Sequence, residues 1–193
     1  MSAKSWIQTF TGKQFFPLDP QPDSICIEDI AHHLSNICRF TGAVKSFYSV
    51  AEHSVRVAWR TQEIVEPLAW NVGLGVIKWA LLHDAAEAYL NDLNRPTKHQ
   101  PEMKAYRDAE KKVQRMIVFE FGLLPFEPNE VRQADNELLF IEARDLMSPL
   151  HPEWYGTAAH PLPEKLPNQV IQGWAPQQAE AAFLAMFSIL WQR

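Results

Sequence analysis

The chain has 193 residues, enough for one compact domain whose core can support folding. Charged residues make up 21% and the hydrophobic set 47%, a globular balance that excludes a disordered chain. The formal net charge of −5 excludes the basic footprint of a general nucleic-acid binder, and no stretch is apolar for long enough to span a bilayer. The two cysteines, Cys26 and Cys38, form no disulfide framework or thiolate zinc pattern, so both are expected as buried thiols in a reducing compartment. The N-terminus lacks a secretory pattern, so a cytoplasmic protein is expected.

Residues 1–26 read as an extended arm. Pro17, Pro20 and Pro22 break regular structure there, and Trp6, Phe10, Phe15 and Phe16 are its expected anchors. A helix is predicted from Ile27 to Cys38, with Ile30, Leu34 and Ile37 on one face. The segment Arg39 to Phe47 reads as a loop around Gly42. Ser49 to Glu52 fits the S-x-x-E capping box, which starts a helix just before His53 that runs to about Ile64.

After a loop near Pro67, Val76 to Leu90 is apolar almost throughout and is predicted as one central buried helix. Asn91 to Pro101 reads as a polar loop. Glu102 to Phe121 reads as an amphipathic helix closed by Gly122, and Glu130 to Met147 as a second with Val131, Leu138, Leu139 and Ile141 inward. The proline-rich stretch from 148 to 176 is a long loop, and Gln177 to Trp191 is the last helix, burying Phe183, Met186 and Leu190. The expectation is a single-domain, all-α bundle with no repeat and no alternating strand pattern.

Chemistry concentrates around His83-Asp84. A buried carboxylate needs a cation, a hydrogen-bond set or a proton, yet an isolated His-Asp pair serves as readily to brace helices. The flanks tip the balance. Glu87 follows one turn later on the same face, Asp92 lies near the helix exit, His53 opens the preceding helix and Asp135 sits in a later one. Acids converging on an apolar helix repel unless a metal neutralises them. Two imidazoles and two carboxylates make a mixed N/O donor set suited to manganese, iron, cobalt, zinc or magnesium.

In this order and at these spacings, YSVAEHS, ALLHDAAEAYLNDL and RQAD resemble the H…HD…D signature of the HD-domain phosphohydrolases. The nearer similarity is to the small enzymes acting on deoxynucleotides, the bacterial 5′-deoxynucleotidases and the phage-type dATP triphosphohydrolases. It extends through WIQTFTGKQFFPLDP and IEDIAHHLSNICRF. The resemblance implies an HD-type bundle with His53, His83, Asp84 and Asp135 as ligands of a divalent metal. It implies that Glu87 orients or deprotonates the attacking water and that Asp92 is a general acid or supporting group. It also places Arg39 and Lys98 against substrate phosphate, and Phe40 where the bacterial enzymes carry a tryptophan near the sugar or base.

The implied reaction is phosphate release from deoxynucleoside 5′-monophosphates. A dNTP triphosphohydrolase of the dATP type is the enzymatic alternative, and a non-catalytic nucleotide-binding regulatory module is the alternative of another class. The implied partner is a small nucleotide, with no nucleic-acid polymer and no membrane, in a homodimer or higher homo-oligomer. His32 and His33 are expected as packing or surface residues, His151 and His160 as exposed, and Tyr48 as structural. Arg144 and Asp145 are expected on a helix surface, with Trp154 and Tyr155 as aromatics within reach of a base.

Overall fold

The computed structural model describes residues 5–66, 70–154 and 170–192, with no side-chain placement for 70 and 71. Its architecture is all-α. The long helices are α1 (Ile27–Asn36), α2 (Val50–Val65), α3 (Trp70–Leu82), α6 (Lys104–Glu120), α7 (Asn129–Leu146) and α8 (Pro176–Trp191). Two single-turn helices, α4 (Glu87–Leu90) and α5 (Arg95–Lys98), lie between α3 and α6. Helix α2 is the hub, packing on α1, α3, α7 and α8. Among the described residues no helix is long and apolar enough to cross a membrane.

Outside the central helix, which begins at Trp70 rather than Val76, the predicted termini of the long helices fall within about two residues of those observed, an ordinary uncertainty for frayed ends. The Ser49 cap is present, its hydroxyl accepting from the Glu52 N–H at 3.1 Å. The other half of the capping box is not made. The Glu52 carboxylate turns instead to Arg56 and to the Trp174 N–H, at 2.7 Å each, and so pins the segment before α8 onto α2. Gly122 closes α6 with a φ of 62°, and the Leu123 N–H reaches back to the Val118 carbonyl.

Three expectations need correction. The central helix is not continuous from Val76 to Leu90: α3 ends at Leu82, residues 83–86 form a turn, and the chain resumes as α4. His83 and Asp84 therefore occupy a break rather than a helix face. The polar loop after Leu90 contains α5 and a 3-10 turn at Pro101–Met103, because Asn94 caps the Thr97 N–H at 3.0 Å and Pro96 is pre-set for a first turn. The cysteines are half-buried rather than buried.

The arm is extended, as predicted, and folds into a minimal hairpin of β1 (Ile7–Gln8) and β2 (Gln14–Phe15). Of its four expected anchors only Phe15 is fully buried; Trp6 and Phe10 are exposed. Polar contacts supply the rest of the attachment. Asp29 accepts from the Thr11 N–H at 2.7 Å and from its hydroxyl at 3.0 Å. Within the predicted 148–176 loop, Pro152–Trp154 forms a 3-10 turn, while the loop near Pro67, Tyr155 and His160 lie outside the described residues.

Candidate metal centre

Four elements converge on one point. Helix α2 presents His53, the turn after α3 presents His83 and Asp84, α7 presents Asp135 and Glu142, and the segment after α1 presents Arg39. Asp135 and Glu142 are seven residues apart, hence on one face of α7. The His53 ring spans the two turns between them. Its Nδ1 is 2.6 Å from Glu142 Oε1 and its Nε2 is 3.2 Å from Asp135 Oδ1.

The hydrogen bonds assign the tautomers. Glu142 is an acceptor, so His53 Nδ1–H donates to it, and the Ala80 carbonyl 2.8 Å from His83 Nδ1 fixes that ring the same way. Both Nε2 atoms therefore face the cluster. Each is buried and makes no aligned hydrogen bond. Ligand atoms of His53, His83 and Asp135 lie within 4.8 Å of one another. Asp84 borders that group, its Oδ2 being 3.2 Å from His83 Nε2 and 3.6 Å from His53 Nε2. Imidazoles held through Nδ1, with Nε2 unpaired beside carboxylates, fit a divalent cation.

The electrostatics have the same sense. Burial presses the His83 imidazole down, but the Asp84 carboxylate beside it prevails and lifts it to about 9. Burial and Arg39 likewise oppose protonation of His53, and Glu142 and Asp135 outweigh them. Burial disfavours the charged forms of Asp84 and Asp135, yet the imidazoles hold both carboxyls well below the usual range. Such a site trades protons for a cation. Glu87 behaves oppositely: burial, then the charges of Asp84 and Asp92, push its carboxyl well above the usual range. Asp92 is also raised, by burial foremost and by Asp84 against the opposing pull of Arg39.

The cluster opens into a cleft of about 900 Å³ lined by Arg39, Phe40, Glu87, Asp92 and Lys98. Arg39 already has carboxylate partners. Its Nε donates to Glu142 at 3.2 Å, its Nη1 lies 3.5 Å from Asp84, and only 11% of its side chain is exposed. Lys98 pairs with Glu110 at 2.5 Å. Phe40 reaches the cleft through a left-handed backbone, with φ of 54° there and 55° at Thr41, a strained pair for residues with a Cβ.

Sequence reasoning missed two participants. Glu142 is fully buried and accepts from His53, from Arg39 and from the Tyr48 hydroxyl at 2.8 Å. An acid directly after Phe140 and Ile141, two turns from Asp135, was its available signal. Arg95 donates through Nη2 to Asp135 Oδ2 at 2.8 Å, and nothing in an expected loop marked it. His151 is exposed, as expected, and Arg144 pairs with its neighbour Asp145. Asp145, however, is largely buried and also accepts from the Ile171 N–H at 2.8 Å. Trp154 lines the cleft with its ring edge-on to Phe140 at 6.1 Å.

Fold and site together define an all-helical protein with a His/His/Asp group, His53 of it fully buried, able to hold a metal ion. No family model matches the sequence. The uncharacterized protein YfdR of Escherichia coli is 39% identical over 142 residues, covering 74% of this chain and 72% of that protein. The uncharacterized protein RCAP_rcc00048 of Rhodobacter capsulatus is 31% identical over 196 residues, covering 97% and 96%. The chain belongs to the family that contains these two proteins.

Proposed function

We propose that this protein is an HD-type, metal-dependent phosphohydrolase that releases phosphate from deoxynucleoside 5′-monophosphates. The observation that carries the reading is the pair of buried, unpaired Nε2 atoms of His53 and His83, aimed at Asp84 and Asp135 beside the buried Glu87. His53, His83, Asp84 and Asp135 would hold the metal. A divalent ion there supplies Lewis acidity toward the phosphoryl group and a water of lowered pKa.

The remaining roles belong to the chain. Glu87 Oε2 is buried without a hydrogen-bond partner, so it is available to hold the attacking water. Burial and the charges of Asp84 and Asp92 keep it protonated, and once a bound cation offsets those charges it can take the water's proton. Asp92, which lines the same cleft, would return a proton to the leaving oxygen. Arg39 keeps Asp84 and Glu142 in register. Phe40 and Trp154 give the cleft aromatic surface suited to a base and sugar.

Charge favours a monophosphate. Asp84, Glu87, Asp92, Glu127, Asp135 and Glu153 line the cleft against Arg39, Arg95 and Lys98, and each of those cations already has a carboxylate partner. A triphosphate would bring more negative charge than such a lining offsets. The test is phosphate release from a panel of dNMPs, NMPs and dNTPs with manganese, cobalt, magnesium or zinc, beside Glu87→Ala and Asp84→Ala. Turnover of dNMPs that disappears in both variants is expected. Preference for dNTPs would replace the substrate assignment, and a folded, metal-loaded protein inert on every nucleotide would overturn the proposal.

A further inference from the structure

Helix α4 carries Glu87, yet it is a single turn, Glu87–Leu90. One turn of helix does not sustain itself in water, so tertiary contacts must set its position. The turn before it is tied to α6, where Gln114 Oε1 accepts from the Ala86 N–H at 3.3 Å. Just beyond α4, the Asn91 carbonyl accepts from the Tyr106 hydroxyl at 2.6 Å. The middle of α4 is held by α1 and the arm. The Tyr89 ring stacks on Phe15 at 4.1 Å between centroids, and the Ala88 carbonyl lies 2.7 Å from His33 Nδ1.

That carbonyl has no helical donor. Its natural partner, the Asp92 N–H, donates to Asn91 Oδ1 instead, at 3.0 Å. His33 supplies the missing bond. Ala88 O only accepts, so His33 Nδ1 carries hydrogen; the Phe10 N–H only donates, so His33 Nε2, at 3.1 Å, accepts it. Both ring nitrogens are occupied, one by the helix that carries Glu87 and one by the arm. One turn earlier on α1, Asp29 grips Thr11 and holds the arm against the ring.

We propose that His33 is a positioning residue: through the Ala88 carbonyl and the arm's Phe10 N–H it fixes the one-turn helix that aims Glu87 into the cleft. The inference rests on the hydrolase reading for its catalytic consequence, while the brace itself is a structural claim with its own readout. The ring nitrogens of His33 bond to Ala88 and Phe10 rather than to any member of the metal group.

The two nitrogens are separable by substitution. Asparagine places an amide N–H near the Nδ1 position, and glutamine places its amide near Nε2. In the full chain, His33→Ala and His33→Gln are expected to lower kcat on a dNMP by about 10- to 100-fold, the scale of a small misplacement of a catalytic group. KM and the manganese dissociation constant should stay near wild type, and His33→Asn should recover most of the rate. Hydrogen exchange of the Asn91 amide, which donates to the Glu87 carbonyl at 2.8 Å, should accelerate in Ala and Gln but not in Asn. Unchanged exchange in His33→Ala, or an Asn variant as impaired as Ala, overturns the brace; so does manganese affinity falling in step with kcat. The exchange experiment needs no turnover: if no nucleotide is hydrolysed, the hydrolase reading fails while exchange still decides the brace. Should His33→Ala not fold, the Asn and Gln variants give the same comparison.

Discussion

Replacing Glu142 by glutamine removes one buried charge with little change of shape. In the protein, Oε1 accepts from His53 and Tyr48, and Oε2 accepts from Arg39 Nε. A glutamine carbonyl still serves His53 and Tyr48, but its amide turns donors toward Arg39, leaving that guanidinium with Asp84 alone at 3.5 Å. A hydrogen bond to a charged group contributes about 1.5–3 kcal/mol, and uncovering one member of a buried ion pair costs about 3–5 kcal/mol. A loss of about 3 kcal/mol is therefore expected. For a chain of this size that lowers Tm by about 6–12 °C. The His53 imidazole also loses the charge that strengthens Nε2 as a donor to a metal, so manganese affinity should fall by about 10- to 100-fold. Urea unfolding at fixed pH and calorimetric titration of the metal-free protein measure the two effects. Stability within about 0.5 kcal/mol of wild type, with unchanged manganese binding, would refute the network as described.

Three further outcomes follow from particular contacts. A Cβ at Gly173 would come 2.1 Å from the Phe47 carbonyl oxygen, so Gly173→Ala must push the segment before α8 away from Tyr48 and should destabilise by about 1–3 kcal/mol, read by denaturant midpoint. Burial raises the Asp29 carboxyl, but bonds from Cys26 and Thr11 prevail and hold it below the usual range. A group depressed on folding stabilises fully above its unfolded value near about 3.9 and loses that contribution as pH falls through its folded value. Exchange of the Thr11 amide should accordingly rise only in strong acid, and Asp29→Asn should remove that step. His83→Ala and Asp135→Ala should each abolish stoichiometric manganese binding while leaving helical circular dichroism intact; retained binding in either would remove that residue from the metal group.

Much of the fold was legible because each long helix advertises itself locally. Ile30 and Leu34, Val131 and Leu138, Phe183 and Leu190 repeat at helical spacing, and Ser49 and Gly122 mark ends by their own hydrogen bonding and backbone freedom. The break at residues 83–86 was not legible. Ala85, Ala86 and Ala88 are strong helix formers, and what interrupts them is tertiary: Gln114 of α6 takes the Ala86 N–H and supplies an amide hydrogen to the Leu82 carbonyl at 2.9 Å. The arm misled for a related reason. Its aromatics promised hydrophobic anchorage, but Asp29 and His33 hold it by polar bonds whose partners lie many residues away.

The break also bears on the chemistry. On a continuous helix His83 and Asp84 would point about 100° apart. In the turn after α3 both reach the cluster, with His83 Nε2 and Asp84 Oδ2 3.2 Å apart. That geometry has no local source of rigidity, since the turn is bounded by the end of α3 and a single-turn helix. Its order comes from the groups around it: Ala80 on the His83 ring, Arg39 on Asp84, Gln114 on the backbone and His33 on the far side of Glu87. A His-Asp dipeptide thus acquires meaning from Arg39, Gln114 and His33, all distant in sequence. Residue spacing located the candidate donors, whereas the groups that orient them, Glu142, Arg95 and His33, became visible only once the helices were packed.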